Sequence, residues 1–172
     1  MNEATEPAPT IAVRACAAIV EGNEICLIHR YRPDGDQYSL PGGLLHPNEE
    51  VPNALARELK EELDLNVTSL PDQPKLCWVQ DQTTTRPGSN RPFRRIHLIH
   101  VVSIPRDVRH TMATCELDAD DRTRVVWIPV AKATAVHLYP AAGEALRQLA
   151  NFAAPPSHMM LPPITDQTYD WR

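Results

Sequence analysis

The sequence predicts an α+β fold with a mixed or mainly antiparallel β-sheet. Short apolar runs rich in Ala, Val and Ile recur along the chain between turn residues, as is typical of strands. One stretch instead has helical spacing, with Leu55, Leu59 and Leu63 at every fourth position. A hairpin, this helix, several strands and a terminal helix follow one another, and that order fits an α+β domain.

The first half of the chain divides at clear turn signals. Residues 1–10 are polar and contain Pro, and we expect a flexible arm there. Strands are predicted at 11–20 and 25–29, joined by the turn Glu21-Gly22-Asn23, and a short third strand at 38–40. The Gly42-Gly43 pair then permits a tight backbone path before the helix begins. Pro52 suits its first turn, where the missing N–H costs nothing.

The second half is more irregular. In order we expect two short strands at 66–70 and 76–80, an arginine-rich hairpin-like excursion at 83–95, a strand at 96–104, a long loop at 105–123, a strand at 125–128, a short helical segment at 129–135 and a helix at 140–152. The domain is therefore placed at residues 11–152. Residues 153–172 are Pro-rich and lack periodicity, which indicates an extended tail. Tyr169 and Trp171 could dock on the domain or on a second subunit, with a disordered tail as the alternative.

Length, charge and cysteine usage exclude several classes of function. The chain of 172 residues suits one domain, and its net charge of −5 disfavours binding to nucleic acid or to anionic membranes. The four cysteines have no CxxC spacing, which disfavours zinc. Cys16 and Cys26 lie in strand-like runs and are expected to be core residues in a reducing cytoplasm. No apolar run is long enough to span a membrane, and no leader-like N-terminal pattern is present, so a cytoplasmic protein is expected.

Three glutamates on the predicted helix carry the functional signal. At 100° per residue, Glu58, Glu61 and Glu62 lie within an arc of about 100°, beside the leucine stripe. Carboxylates at this spacing repel one another by a few tenths of a kcal/mol per pair. The cluster becomes favourable around a hard divalent cation, because Mg²⁺ prefers oxygen ligands. A solvated acidic helix face is the alternative explanation.

The wider spacing decides between these explanations. Gly43 is followed after five residues by Glu49, and after seven more by Arg57-Glu58-Leu59-Lys60-Glu61-Glu62. This pattern resembles the Nudix box, G-x5-E-x7-R-E-U-x-E-E-x-G-U, in which U is a bulky aliphatic residue. Leu65 fits the final aliphatic position, and the one departure is Asp64 where the family has Gly. Asp reaches the left-handed conformation more readily than most residues, so we expect the helix to end there at a cost of about 1 kcal/mol.

The resemblance implies a fold and an activity. The fold would be the Nudix α/β/α sandwich around a mixed sheet. The activity would be metal-dependent hydrolysis of a nucleoside diphosphate linked to another moiety, such as a nucleoside triphosphate or a nucleotide sugar, with water attacking a pyrophosphate phosphorus. The cofactor would be Mg²⁺, with Mn²⁺ as a substitute.

The resemblance also implies roles for individual residues. Metal ligands would be the side chains of Glu58, Glu61 and Glu62, with the carbonyl of Gly43. Arg57 and Glu49 would form an ion pair that holds the loop against the helix and orients the glutamates. The general base would be an acidic residue on a later loop. Glu116 is the first candidate, followed by Asp118, Asp120 and Asp121, and a box glutamate such as Glu61 is the alternative.

Substrate identity is less determined. Arg30 and Arg32, at the exit of the second strand, could hold phosphates, as could the arginines at 86–95. Trp78 or Phe93 could stack on a base, although a buried Trp78 is favoured. Asp81 and Gln82 stand where some subfamilies carry a marker Pro or Tyr. A small-molecule nucleotide substrate is expected. A nucleotide-sensing module without activity and an RNA-end pyrophosphohydrolase are the alternatives, and a homodimer is compatible with the family.

Overall fold

The computed structural model describes residues 10–117, 122–149 and 158–172, and within these ranges nine strands form one sheet. The strands are β1 (Ala12–Glu21), β2 (Glu24–Arg30), β3 (Gln37–Ser39), β4 (Gly42–Leu44), β5 (Lys75–Thr85), β6 (Pro92–Ser103), β7 (Thr123–Pro129), β8 (Leu138–Tyr139) and β9 (Ile164–Thr165). The helices are α1 (Val51–Leu63), α2 (Arg106–Thr111) and α3 (Gly143–Gln148), with 3-10 turns at Val67–Ser69 and Val130–Ala135. None of the helices in the described ranges is long and apolar enough to cross a membrane.

The sheet is mixed, as predicted. Its strand order is β8-β3-β2-β1-β6-β5-β9, while β4 pairs with β1 and β7 pairs with β2. β1 runs parallel to β6 and antiparallel to β2 and β4. One edge of β1 is shared, because residues 19–21 pair with β2 and residues 14–16 pair with β4. This division lets β4 enter the sheet directly after β3, and it sets the start of the box against the middle of the sheet.

Helical layers cover both faces of the sheet and complete the expected α/β/α sandwich. On one face, Leu55, Leu59 and Leu63 of α1 pack against alternate residues of β1 in one buried cluster. On the other face, a second cluster joins Trp78 with Leu146 of α3 and the 3-10 turn at Val130–Ala135. Successive residues of β1 point to opposite faces of the sheet, as in any strand, so its small side chains alternate between the two clusters. The predicted burial of Trp78 is confirmed.

Helix α1 begins and ends where the sequence indicates. Glu50 is its N-cap residue, and Pro52 occupies the first turn. Asp64 ends the helix in the left-handed conformation, with φ 56° and ψ 28°. The N–H of Leu65 then bonds to the carbonyl of Leu59 at 3.1 Å, which closes the helix in the manner usual after a left-handed residue. The tolerance of Asp at this position is therefore confirmed.

Several predicted elements are wrong in type or extent. The strand predicted at 66–70 is a 3-10 turn, because the Asn66 side chain accepts from the N–H of Thr68 and caps it. The strand predicted at 76–80 continues to Thr85, and the excursion at 83–95 is the end of one long antiparallel hairpin. The loop predicted at 105–123 contains helix α2. The helix predicted at 140–152 begins at Gly143, and its C-terminal part lies outside the described residues.

The C-terminal segment at 158–172 packs on the domain. β9 adds to the outer edge of β5 in parallel, and Asp166 accepts hydrogen bonds from the backbone N–H and hydroxyl of Thr85. Tyr169 is buried and accepts a hydrogen bond from the Gln37 amide at 3.2 Å. Trp171 contacts the rings of Phe93, Tyr139 and Tyr169. Of the two docking surfaces expected for Tyr169 and Trp171, the structure shows the domain itself.

All four cysteines fall within the described residues, and all are free thiols. Cys16 and Cys26 are buried core residues, as predicted. Burial raises the pKa of the Cys16 thiol to about 11 and that of Cys26 to about 12. Both thiols therefore stay protonated at neutral pH and behave as small apolar side chains.

Candidate active site

The site is built around the contact between β4 and helix α1. A Cβ placed on Gly43 would lie 2.2 Å from the Glu58 carboxyl carbon, so the Glu58 carboxylate occupies the space where a side chain would stand. Gly42 has φ +135°, and its Cβ would lie 2.2 Å from the Ala15 carbonyl oxygen. Glycine is therefore required at the two positions for different reasons. Gly42 lets the backbone of β4 lie close to β1, and Gly43 lets the helix bring a carboxylate against the backbone.

Arg57 joins the loop before α1 to two of the box glutamates. Its guanidinium donates to both oxygens of Glu49, from Nε at 2.8 Å and from Nη2 at 2.9 Å. It also donates to Glu58 at 2.6 Å, to Glu61 at 3.2 Å and to the Leu44 carbonyl at 3.1 Å. The planar guanidinium serves these partners because its donors form a fixed fork. The expected Arg57–Glu49 ion pair is present in the structure.

These hydrogen bonds fix the charge state of the Arg57–Glu49 ion pair, which we call the clamp. Hydrogen bonds from Arg57 hold the pKa of Glu49 at about 2, and the N–H of His46 donates to the same carboxylate. The Glu49 hydrogen bonds in turn raise the pKa of Arg57 above its usual range. The pair is therefore ionised at any physiological pH.

Glu62 is the most buried of the three glutamates on α1. It is 6% exposed and accepts a hydrogen bond from the N–H of Gly42 at 2.7 Å. The Glu116 carboxylate lies close enough to that of Glu62 to affect its pKa. Burial raises the pKa of Glu62, the positive charge of Arg14 opposes the rise, and the proximity of Glu116 adds to it. The protonated form of the Glu62 carboxyl is favoured in this position, because burial and a neighbouring carboxylate both disfavour its charged form.

Glu116 reaches this position through the segment after α2. The N–H of Leu117 bonds to the Glu62 carbonyl at 3.0 Å, and the N–H of Glu116 donates to Thr123 Oγ1 at 3.1 Å. The structure therefore brings Glu116 to the box helix. The other candidates for the base, Asp118, Asp120 and Asp121, lie outside the described residues.

Arg30 has protein partners in this structure. Its Nη2 donates to both Glu116 oxygens, at 2.6 and 2.5 Å, and its Nη1 donates to Ser39 Oγ at 2.7 Å. The Arg30 guanidinium therefore holds a carboxylate beside the box, and its predicted contact with substrate phosphates stays a prediction. Arg32 lies in the turn after β2, where its carbonyl accepts from the N–H of Gly35 at 3.1 Å.

Sequence reasoning missed Arg14. Its Nη2 donates to the carbonyls of Leu40 and Gly42, at 2.9 and 2.8 Å, so one buried guanidinium holds the approach to the box. Its Nη1 is buried and has no hydrogen-bond partner in the described part of the chain. A signal was present, since Arg14 interrupts an otherwise apolar strand. A charge inside a buried strand is rare unless it is paired, and such a charge marks a site.

The donor set suits a hard divalent cation in chemistry, although its carboxylates do not converge here. Glu58, Glu61 and Glu62 offer only oxygen, which Mg²⁺ prefers. The empty side-chain position of Gly43 also leaves its backbone open to the Glu58 carboxylate. In the described residues, however, no three His, Cys, Asp or Glu side chains meet at one point, because Arg57 and Gly42 hold the box carboxylates.

Comparison with known proteins decides the family. Residues 9–151 match the model of the NUDIX domain. The chain belongs to the Nudix hydrolase family. Members of this family act on small nucleotide substrates and generally use divalent metal ions.

A curated relative supports this membership. The Mycobacterium tuberculosis protein named "Putative 8-oxo-dGTP diphosphatase 2" is 33% identical to this Nudix chain over 114 residues, which cover 65% of this chain and 77% of the relative. The identity is high enough to indicate common ancestry.

Solved structures support the fold. The Bacillus halodurans MutT protein has a TM-score of 0.61 at 12% identity and covers 90% of this chain and 88% of that chain. A MutT/Nudix protein of Listeria innocua has a TM-score of 0.57 at 21% identity and covers 86% and 94%. The E. coli ORF135 protein has a TM-score of 0.56 at 22% identity and covers 88% and 97%. At these identities the likeness concerns the fold alone.

Proposed function

We propose that this Nudix hydrolase is a Mg²⁺-dependent pyrophosphohydrolase of nucleotides, with Mn²⁺ as a substitute and a nucleoside triphosphate as its favoured substrate. One observation carries the proposal. The box helix sets Glu58 on Gly43 and Glu62 on Gly42, while Glu116 reaches Glu62 from outside the box. Four acidic side chains, counting Glu61, thus border the β4–α1 junction. The name of the M. tuberculosis relative favours a nucleoside triphosphate over a nucleotide sugar.

The cation would be held by Glu58, Glu61 and Glu62, with the Gly43 carbonyl as a further ligand. When bound, it supplies charge neutralisation for the pyrophosphate and lowers the pKa of a coordinated water. The chain contributes the rest of the catalysis by positioning, as is general for phosphoryl transfer. Arg57 and Glu49 hold the loop against the helix, so that Gly43 and the glutamates of α1 keep their spacing.

Glu116 is the proposed general base. It would accept the proton of the attacking water as the water oxygen bonds to phosphorus, and the bond from that phosphorus to the bridging oxygen would break, which releases a nucleoside monophosphate and pyrophosphate. Arg30 is then a positioning residue, because its two bonds to Glu116 fix the carboxylate beside the box. Glu61 is the alternative base, and its side chain is 49% exposed, which leaves it open to water.

A substrate panel tests the proposal. Canonical and oxidised nucleoside triphosphates, nucleotide sugars, diadenosine polyphosphates, NADH and capped RNA are offered with Mg²⁺ or Mn²⁺, and product release is measured. We expect one class, the nucleoside triphosphates, to be cleaved in a metal-dependent way. The Glu61→Gln, Glu62→Gln double variant serves as the inactive control. Absence of turnover across the panel, with a nucleotide still bound, would contradict the proposal and favour a sensing module.

Two single variants separate the roles of Glu116 and Arg30. We expect Glu116→Gln to lower kcat by about 10²- to 10⁴-fold, the usual contribution of a general base. Arg30→Lys keeps the charge and loses the bidentate geometry, so it should lower kcat less than Glu116→Gln does. Near-normal turnover of Glu116→Gln at saturating metal would remove Glu116 from the mechanism and leave Glu61 as the base.

A further inference from the structure

The long β5–β6 hairpin carries a second charged site, which we call the arginine pocket. It is a cleft of about 590 Å³ whose lining includes Arg86, Arg91, Arg94, Arg95 and Phe93. This volume lies within the range of small-molecule sites. The pocket lies near the N-terminal end of β1 but on the edge opposite to β4. Ala12 lines the pocket and pairs with Arg95, whereas Arg14 pairs with Leu44 of β4 on the other edge.

The positive charge of the arginine pocket is largely uncompensated. Arg94 is paired with Asp81 at 2.8 Å. In residues 10–117, 122–149 and 158–172, no carboxylate forms an ion pair with Arg86, Arg91 or Arg95. The chain as a whole has a net charge of −5, so this concentration of arginines is a local feature and not a reflection of the overall charge.

An aromatic ring holds two of these arginines in place. The guanidinium carbon of Arg86 lies 4.7 Å from the centroid of the Phe93 ring, and that of Arg95 lies 5.2 Å from it. A cation–π contact fixes the position of a guanidinium without neutralising its charge. Tyr139 also holds Arg95 in place, since Arg95 Nη1 donates a hydrogen bond to the Tyr139 hydroxyl at 2.8 Å. Both guanidiniums are therefore ordered in advance and still able to bind an anion.

The proximity of the positive charges gives a physical reason for an anion. Burial lowers the pKa of Arg95, and the charges of Arg14 and Arg86 act in the same direction. The Nε of Arg95 is buried and has no hydrogen-bond partner among the residues that the structure describes. An anion in the cleft would relieve the repulsion between these groups.

We propose that the arginine pocket binds an oligophosphate, free or as part of a nucleotide, at a site separate from the Nudix box. Guanidinium forks match pairs of phosphate oxygens, and several arginines around one cleft suit an anion that carries several phosphate groups. The cleft is wide enough for several linked phosphate groups, so a chain of phosphates should bind more tightly than a single one. This site goes beyond the hydrolytic function proposed above and does not depend on it.

Calorimetric titration without divalent metal tests this site directly. The full chain, in EDTA and at low salt, is titrated with inorganic tripolyphosphate. We expect saturable binding by the wild type and at least tenfold weaker binding by the Arg86→Ala, Arg91→Ala variant. Both substitutions lie at or near the exposed hairpin turn, so circular dichroism should show an unchanged fold.

A charge-matched control separates a site from general attraction. The Arg106→Ala, Arg147→Ala variant loses the same two charges from exposed positions on α2 and α3. Its affinity for tripolyphosphate should equal that of the wild type. Equal weakening of both double variants, or no saturable binding by the wild type, would overturn the proposal.

Two further titrations identify the source of the ligand. Inorganic phosphate should bind more weakly than tripolyphosphate, and equal affinities would overturn the assignment to an oligophosphate. A nucleoside triphosphate is then compared with tripolyphosphate. Tighter binding of the nucleotide would assign the site to nucleotides, and equal affinities would assign it to the free oligophosphate. Either result supports a phosphate-chain site.

Discussion

Replacing Gly43 with alanine should separate activity from stability. The new Cβ would lie 2.2 Å from the carboxyl carbon and Oε2 of Glu58, and 2.3 Å from Oε1. Real Cβ atoms essentially never approach closer than 3.0 Å, so the carboxylate must move by about 1 Å. The displaced atoms belong to the far end of a flexible side chain, which can turn aside.

The expected sizes follow from these distances. Misplacing a group of the site by 1 Å costs about 10²-fold in rate, so kcat should fall by about that factor. The folding cost is that of one off-rotamer side chain, about 0.5–1.5 kcal/mol. For a chain of this length that corresponds to a decrease in Tm of about 1–6 °C.

Gly42→Ala provides the matched control. Its Cβ would lie 2.2 Å from the Ala15 carbonyl oxygen and 2.5 Å from the Cys16 Cα, which are backbone atoms and cannot turn aside. The residue also has φ +135°, a conformation that alanine rarely adopts. Backbone strain and overpacking together should cost about 2–6 kcal/mol, a decrease in Tm on the order of 10 °C.

Both variants are measured by thermal unfolding and by steady-state kinetics on the best substrate of the panel. The reasoning requires Gly43→Ala to lose activity while it stays folded, and Gly42→Ala to lose stability. It would be refuted if Gly43→Ala kept more than about a third of the wild-type kcat, since the predicted loss is about 10²-fold. Equal losses of Tm in the two variants would also refute it.

Three further predictions concern contacts around the site. Arg57→Lys keeps the charge but loses the fork that joins the loop to the helix, so kcat measured at saturating substrate should fall about 10- to 100-fold, and an unchanged kcat would count against the clamp. The pKa of Glu49 is lowered from 4.5 to about 2, so the stabilisation that wild type has over Glu49→Gln should be complete above about pH 5 and disappear as the pH falls towards 2. A Tm difference between these two proteins that stays constant from pH 7 to pH 2 would contradict this linkage. Tyr169→Phe removes the acceptor of the Gln37 amide and should lower the free energy of unfolding by about 1 kcal/mol in urea titrations, and an unaltered midpoint would show that this bond contributes nothing.

Local patterns account for what the sequence predicts well. Helix α1 has a periodic leucine stripe, Pro52 at its start and Asp64 at its end, and each of these acts within a few residues. The strands around Cys16 and Cys26 are similarly indicated by their own apolar runs. The acidic groups on α1 follow directly, because helical geometry fixes which residues share a face.

What the sequence does not predict depends on distant partners. The pairing of Arg30 with Glu116 depends on a residue 86 positions away. β9 has only two residues, and its pairing with Gln82 and Thr83 at the edge of β5 has no local signal. The 3-10 turn after α1 shows the opposite case, in which one side-chain cap at Asn66 outweighs the strand propensity of its neighbours.

The most direct test of the central claim is the metal dependence of nucleoside triphosphate hydrolysis by wild type and by the Glu61→Gln, Glu62→Gln variant. Release of pyrophosphate is followed with Mg²⁺ and with EDTA. We predict turnover by wild type that requires Mg²⁺ and is lost in the variant, while its circular dichroism spectrum is unchanged. Turnover that survives EDTA, or that the folded variant retains, would contradict the assignment of catalysis to the box glutamates.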